Sequence, residues 1–202
     1  MYLRSLVIPL IILSAACTFE RTVKLDARLP MPPAVDQMPL RIGVYYSPQF
    51  IQYTKKIDVR KLNLSLIFPV GITSKDLFDQ ITNSMFATVI KTSVLLPPSD
   101  DTSSIDGFLE PRIESFQSSV DFSSWPVKYM SKVNYTINFY DGFDGHLVTS
   151  MLFEGWGFCL RSGYSYAAEM AMQDAMAQFM IDFPENLEIK LWLLNHSAGF
   201  NK

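Results

Sequence analysis

The sequence predicts an α+β fold, in which two helices cover one face of a mixed or mostly antiparallel sheet of about four to six strands. Segments with the alternation of strands lie on both sides of a segment with helical spacing, and a second helical segment follows them. Hydrophobic residues make up 49% of the chain, which is enough apolar material for a core. We therefore expect a two-layer α/β sandwich formed by one domain over residues 40–202.

The first half of this domain is predicted to hold two strands and a helix. Apolar and polar residues alternate from Leu40 to Tyr46 and again over 61–68, which is the pattern of half-buried strands. The residues from Thr73 to Asp76 fit a capping box, and apolar residues then recur at helical spacing as far as Ile90. One face of this helix is expected to lie on the sheet.

Three further strands are predicted after a polar, proline-containing loop at 97–106. Pro111 places the first of them, 108–116, at an edge or a bulge, because proline cannot donate a ladder hydrogen bond. The second has apolar residues at nearly every odd position from Val127 to Phe139, with polar residues opposite them. Asp and Gly turn residues then lead to the third, 146–156, so these two strands form a predicted hairpin.

The C-terminal part begins with a glycine-rich segment, Gly155 to Tyr166, which is predicted to be a connecting loop. A final helix is expected over 166–183, where an apolar stripe runs as far as Pro184. Residues 187–194 alternate only weakly, and they fit either a last strand or a short helix.

Residues 1–16 have the features of a signal peptide. Their only charge is Arg4, and an apolar run is followed by small residues immediately before Cys17. The apolar run is too short to cross a hydrocarbon core of about 30 Å as a helix. We therefore expect the chain to be exported.

The motif before the first cysteine indicates how the exported chain is held. It reads Leu13-Ser14-Ala15-Ala16-Cys17 and resembles the lipobox of bacterial lipoproteins. The resemblance implies that Cys17 is acylated as the first residue of the mature chain, so that membrane lipid is a partner. In such lipoproteins a residue other than Asp after the cysteine, here Thr18, goes with sorting to the outer membrane.

The segment 17–39 contains four prolines and no sustained periodicity, which favours an irregular tether between the lipid and the domain. The alternative is that part of it packs along the domain as an edge segment. The order of elements over roughly 40–183 resembles small periplasmic domains, namely those of the lipopolysaccharide-assembly lipoprotein, the curli-secretion lipoprotein and the N-terminal part of TolB. That resemblance implies an α/β domain in the periplasm.

Charge and motif content exclude several functions. The chain has a formal net charge of -3 and no cluster of Lys and Arg, so it lacks the footprint of a nucleic-acid-binding protein. It has neither the glycine spacing of a dinucleotide fold nor a phosphate loop nor a nucleophile elbow, so we expect no cofactor. Cys159 is interpreted as a small buried hydrophobe.

The remaining candidates for catalysis are few. The two histidines, His146 and His196, lack the spaced partners of a zinc site, so we expect no metal. Glu110 and Glu114 share a strand face, but Arg112 between them favours ionised, structural carboxylates, with a cross-strand salt bridge to Lys128 or Lys132 as one such role. The sequence therefore predicts that the protein is not an enzyme.

The glycine-rich segment supplies the candidate partner-binding residues, because Trp, Tyr and Arg dominate interface energies. These are Trp156, Phe158, Arg161, Tyr164 and Tyr166. The alternative is that Trp156 and Phe158 are buried in the core at the end of the sheet.

Together these features predict a lipid-anchored, non-enzymatic component of an envelope assembly, transport or secretion complex, with other envelope proteins as partners. The alternative is a periplasmic enzyme or small-ligand-binding protein with an unrecognised site. The sequence does not choose among transport, secretion and cell-wall regulation, and it does not give the oligomeric state.

Overall fold

The computed structural model has an α+β fold, as the sequence predicts. It describes residues 19–26, 28, 36–95, 105–161 and 163–199, with the side chains of 196–199 excepted. Cys17, the signal segment, most of the predicted loop at 97–106 and the His196 side chain lie outside the described residues. The elements are β1 (Phe19–Thr22), β2 (Met38–Tyr45), α1 (Pro48–Ile51), β3 (Lys55–Val59), β4 (Leu64–Phe68), α2 (Val70–Met85), β5 (Phe86–Thr92), β6 (Gly107–Asp121), β7 (Lys128–Asp141), β8 (Leu147–Leu160), α3 (Gly163–Glu185) and α4 (Leu187–Gly199).

The strands form two mixed sheets. The larger has the order β5-β2-β6-β7-β8, in which β2 runs parallel to β5 and β6, while β6, β7 and β8 are antiparallel neighbours. The smaller has the order β1-β4-β3, with β1 parallel and β3 antiparallel to β4. The helix layer lies on one face of the larger sheet, which we call the inner face, and the opposite face is called the outer face.

The predicted hairpin is formed by β7 and β8, whose register pairs Lys128 with Leu160 and Asn138 with Ser150. The odd-numbered side chains of β7 from Val133 to Phe139 are buried against the helix layer, as the alternation predicts. At the turn, Asp141 Oδ1 accepts hydrogen bonds from the backbone N–H groups of Phe143 and Asp144 at 2.7 and 3.2 Å.

The core between sheet and helices is aromatic and contains a satisfied polar pair. The Phe179 ring on α3 stacks on the Phe78 ring of α2, with 5.3 Å between centroids. The Tyr135 hydroxyl of β7 is fully buried and lies 2.6 Å from the Ser74 hydroxyl of α2. Burial raises the pKa of Tyr135, which therefore stays neutral and serves to join the two layers.

The N-terminal half differs from the prediction in its boundaries. The helix predicted as far as Ile90 ends at Met85, because the β-branched run that follows pairs with β2 as strand β5. The capping box is also wrong, since α2 begins at Val70 and the Thr73 hydroxyl donates to the Pro69 carbonyl at 3.0 Å from inside the helix. The strand predicted over 61–68 begins only at Leu64, after a 3₁₀ turn, Arg60–Leu62, and a left-handed Asn63.

Two further segments are placed by strand pairing. β1 lies within the stretch for which prolines favour a tether, and it pairs with β4 as an edge strand of the smaller sheet. Pro111 lies on β6 beyond its last pair with β2, at Leu109, and the register with β7 shifts between Ile113 and Ser115. Pro111 therefore lies where β6 has no β2 neighbour, so its lack of an N–H breaks no hydrogen bond between these two strands. The undecided segment after Asn186 forms the helix α4.

Candidate functional site

The glycine-rich segment is a strand rather than a loop. Residues 155–160 complete β8, and Gly155 and Gly157 point inward, where the backbone of α3 approaches closely. A Cβ on Gly155 would lie 1.9 Å from the Ala171 carbonyl oxygen, and one on Gly157 would lie 1.8 Å from that of Ala167. These glycines therefore admit a row of alanines on α3, and they do not provide the adaptable loop that the composition suggests.

The side chains between these glycines point to the outer face and are exposed. Trp156 is 57% exposed, Phe158 is 48% exposed, and Leu152 on the same face of β8 is 67% exposed. Met130 of β7 pairs directly with Phe158 and is 40% exposed. We call Met130, Leu152, Trp156 and Phe158 the outer patch. The alternative that Trp156 and Phe158 are buried in the core is wrong, because strand alternation turns them away from the helix layer.

The Trp156 side chain is held in place although it is exposed. Its indole N–H donates to Glu154 Oε1 at 2.7 Å, and the Lys132 ammonium lies 2.7 Å from Glu154 Oε2. The same ammonium lies 4.6 Å from the centre of the indole ring, which is a cation–π contact. Hydrogen bonds from Lys132 and Trp156 hold the pKa of Glu154 below its usual range. The ring is therefore pre-oriented, which lowers the entropic cost of binding through it.

The other candidate binding residues lie elsewhere. Arg161 is exposed and follows β8 with a φ of 70°, and its N–H donates to the Val127 carbonyl at 3.4 Å. Tyr164 packs edge-on against Tyr129, with 4.8 Å between ring centroids, and burial raises its pKa to about 12. Tyr166 is 49% exposed on α3, in the helix layer. Of the five predicted residues, the structure brings only Trp156 and Phe158 together on the outer patch.

Leu152 and Met130 are the members of the outer patch that the sequence analysis misses. The signal was present in the alternation of β8, which continues through Phe158 with large apolar residues on the face opposite the glycines. Interpreting the glycines as a loop ended the predicted strand at Trp156. That prediction leaves Phe158 off the strand face that carries Leu152 and Trp156, and so it leaves Met130 without its apolar neighbour.

Glu110 is a structural carboxylate on the outer face. It is 4% exposed and accepts hydrogen bonds from Arg112 at 2.9 Å, from the Tyr140 hydroxyl at 3.1 Å and from the Asn138 amide at 3.2 Å. The hydrogen bond to Glu110 raises the pKa of Arg112. Glu114 is exposed and lines the same cleft, beside α1. The expected salt bridge to Lys128 or Lys132 is wrong, because Glu110 pairs with Arg112, Lys132 pairs with Glu154, and Lys128 lies opposite Asp121 of β6.

A second group of polar residues lies at the β7–β8 turn. Asp141, Asp144 and His146 place ligand atoms within 4.8 Å of one another, so they are the described residues best placed to hold a metal ion. Asp141 Oδ2, however, accepts from the Trp192 indole N–H at 2.6 Å, and Asp144 Oδ1 lies 2.6 Å from His146 Nδ1. The pKa of Asp144 is lowered by hydrogen bonds from the His146 backbone and ring. Turn stabilisation accounts for these contacts.

Of the two cysteines, only Cys159 lies within the residues that the structure describes. It points inward on β8 and is 6% exposed. Its Sγ lies 3.3 Å from the Gly163 carbonyl oxygen, at the start of α3. None of the helices in the described ranges has the length and apolar character to cross a membrane.

Comparisons with known proteins show a distant likeness in fold. No protein-family model matches the chain, and no curated protein is significantly similar to it in sequence. Among solved structures, it is similar to a protein of the DUF330 family from Xanthomonas campestris, at 13% identity and a TM-score of 0.49, covering 90% of this chain and 97% of the other.

Two further solved structures show the same kind of likeness. A homolog of neuraminyllactose-binding hemagglutinin from Helicobacter pylori has 11% identity and a TM-score of 0.49, covering 86% of this chain and 100% of the other. A minor lipoprotein from Acinetobacter baumannii has 7% identity and a TM-score of 0.37, covering 74% and 94%. Bacterial lipoproteins are thus among the proteins that this chain resembles, and at these scores the likeness carries no functional assignment.

Proposed function

We propose that this protein is a lipid-anchored, non-enzymatic component of a bacterial cell-envelope complex for assembly, transport or secretion. Its domain lies in the periplasm and binds a protein partner through the outer patch. The observation that carries the proposal is the exposure of Trp156, Phe158 and Leu152 on a sheet face that the helix layer leaves uncovered. Trp156, Phe158 and Met130 are neighbours on this face, and clustered large apolar residues on a folded surface are typical of interaction sites.

The composition of the outer patch supports a protein partner. Its centre is a tryptophan flanked by Phe158 and Met130, and Trp, Phe and Met are residue types enriched at interfaces. Lys132 and Glu154 form a charged pair beside the ring, which provides polar contacts at the border of an apolar centre. The fixed orientation of Trp156 also suits a surface that binds without rearrangement.

The non-enzymatic part of the proposal is supported by how two buried carboxylates, Glu110 and Asp141, are used. Glu110 is bound by three donors, and Asp141 is bound by its own turn and by Trp192. A general acid or base needs a proton-accepting atom directed at substrate. In both residues the carboxylate oxygens are already engaged in structural hydrogen bonds.

The anchor is proposed from the lipobox-like motif that ends at Cys17, and Thr18 supports sorting to the outer membrane. Two or more acyl chains would hold the protein stably, whereas one chain gives marginal binding. Cells expressing the full chain are labelled with an alkyne fatty acid, and the labelled protein is located after membrane separation. We expect outer-membrane label that Cys17→Ala abolishes; label that persists in this variant would contradict the proposal.

Site-specific photo-crosslinking tests the outer patch directly. A photoreactive amino acid is placed at Trp156 in one strain and at Leu152 in another, and adducts are identified by mass spectrometry. The matched control position is Ile181, which is 57% exposed, as Trp156 is, but lies on α3 in the helix layer. We expect the same envelope protein at both outer-face positions and not at the control. Adducts with lipid alone, or equal capture at all three positions, would contradict the proposal.

A further inference from the structure

The first described strand begins only two residues after the proposed acylation site. The Phe19 N–H donates to the Asn63 carbonyl at 3.2 Å, and Phe19 pairs with Leu64 at the start of β4. Two residues span at most about 7 Å of extended chain. A lipid on Cys17 would therefore be fixed close to the end of the domain where β1 and β4 begin, which we call the anchor end.

The anchor end presents exposed apolar side chains. Phe19 is 73% exposed, and Leu62, on the 3₁₀ turn that precedes β4, is 53% exposed. Lys61 of the same turn lies 5.4 Å from the ring centre of Phe122, which begins the connection from β6 to β7. That connection carries Trp125, which is 88% exposed. Aromatic side chains at such positions are typical of proteins that contact the membrane–water interface.

The anchor end also carries exposed cations, and two carboxylates, Asp58 and Asp121, line the same cleft as Arg60 and Lys61. Arg60 and Lys61 are exposed on the 3₁₀ turn, and neither forms an ion pair with a described residue. Arg161 is exposed and bonded through its backbone to Val127, so it lies beside the β6–β7 connection. Cations beside exposed aromatic residues complement the phosphates of a lipid surface.

We propose that the anchor end lies directly on the leaflet that holds the acyl chains. Trp125 and Phe19 enter the headgroup region, while Arg60, Lys61 and Arg161 contact lipid phosphates. This inference rests on the proposed acylation of Cys17, and it replaces a domain on a long tether by one seated on the membrane. A bilayer suits this surface better than a protein partner does, because a two-residue connection leaves no room for a partner between the lipid and Phe19.

The proposed contact between the anchor end and the leaflet, which we call the seating, also orients the outer patch. β8 ends at the anchor end, because Leu160 pairs with Lys128 and Arg161 binds Val127. Leu152 lies eight residues back along this strand, which is about 26 Å. The outer patch would then extend upward from the membrane, alongside a partner in the same envelope layer.

Tryptophan quenching by brominated lipids tests the seating. The acylated full-length protein is reconstituted in phosphatidylethanolamine–phosphatidylglycerol vesicles with and without bromines on the acyl chains. Trp125→Phe is expected to lower the quenched fraction at least about threefold, because an interfacial tryptophan reaches the acyl boundary. The control adds Phe143→Trp to that variant, placing an indole on a turn at the opposite end of β7, where the native ring is 94% exposed. We expect no return of quenching there.

Charge reversal tests the phosphate contacts. Arg60→Glu with Lys61→Glu should lower the quenched fraction of the wild-type Trp125 by about half, since basic residues near an anionic surface contribute to its binding. Lys55→Glu is the matched control, because Lys55 is exposed at the other end of β3. Equal effects of both reversals would overturn the phosphate contacts.

Mass spectrometry of the same preparations separates the two proposals. A mature chain without acyl groups on Cys17 would overturn the proposed anchor, and the seating would fall with it. An acylated Cys17 together with unquenched Trp125 would overturn the seating alone. Acylation with quenching that depends on Trp125 supports both.

Discussion

The two faces of β8 differ in their side chains and in what those side chains contact. On the inner face, Gly155 and Gly157 lie where any Cβ would collide with backbone atoms of α3. On the outer face, Trp156 and Phe158 are about half exposed and touch no covering layer. Neighbouring residues of this strand are thus under different structural constraints, close packing against α3 on one face and exposure to solvent on the other. Packing dictates the glycines, whereas folding does not require large apolar side chains on the other face, which is why we propose that they bind a partner.

Substitution on the inner face is the most severe test of this comparison. Gly157→Val would place a branched side chain where even a Cβ lies 1.8 Å from the Ala167 carbonyl oxygen and 2.7 Å from the Ala171 nitrogen. Because the obstructing atoms are backbone, α3 must shift away from the sheet, at a cost of about 3 kcal/mol or more. Urea unfolding followed by circular dichroism measures this change.

The matched variant for the inner-face test is Phe158→Val, which introduces the same side chain at the next position on the outer face. We expect it to change the free energy of unfolding much less, because its surroundings are solvent and Met130. Similar losses of unfolding free energy in Gly157→Val and Phe158→Val would contradict the proposed difference between the faces.

Asp79, a carboxylate in the helix layer, should matter more for stability than Glu154, an exposed carboxylate on the outer face. Asp79 accepts hydrogen bonds from Tyr46 at 2.6 Å, Lys91 at 2.6 Å and Lys75 at 2.9 Å. Burial raises the pKa of Asp79, but these hydrogen bonds outweigh it and hold that pKa below its usual value. We expect Asp79→Asn to destabilise the fold by about 2 kcal/mol at pH 7.

The pH dependence of the Asp79 effect has a definite sign. Because the folded pKa is depressed, the ionised carboxylate stabilises the folded state above its unfolded pKa of about 3.9, and this contribution is lost as the pH falls through the folded pKa. The wild type and Asp79→Asn should therefore converge in stability below about pH 4. Glu154→Gln should show little of this convergence, since Glu154 is exposed to solvent and screened. Parallel curves for Asp79→Asn and the wild type would contradict the assignment.

The sequence predicts the hairpin and the fold class well for a physical reason. The odd positions of β7 are apolar over a long run, and a period of two over that length is compatible only with a strand that has one buried face. The final helix is equally clear, because the alanines and other apolar residues of α3 recur at helical spacing. In both cases local pattern and tertiary burial demand the same structure.

The prediction fails where local pattern and tertiary contact disagree. Gly155 and Gly157 have the composition of a loop, and only the proximity of α3 explains them as strand residues. Val89 and Ile90 continue a helical spacing, but parallel pairing with β2 places them in β5. The outer patch was half predicted, through Trp156 and Phe158, since recognising its other members required knowing which face α3 covers.

The smallest effect on stability, combined with the largest effect on binding, is expected at Trp156. Trp156→Ala removes a hydrogen bond to Glu154 and a cation–π contact with Lys132, both at the surface, so we expect a loss of about 0.5 kcal/mol in unfolding free energy. The salt bridge between Lys132 and Glu154 remains available in this variant.

Co-purification of the partner found by crosslinking at Leu152 should fall at least about tenfold in Trp156→Ala, as for a buried aromatic anchor of an interface. Ile181→Ala, at an equally exposed position in the helix layer, should leave co-purification unchanged. If Trp156→Ala unfolds the domain, the ring supports the fold and the outer face resembles the inner one; if it changes neither stability nor co-purification, its exposure has no role in binding.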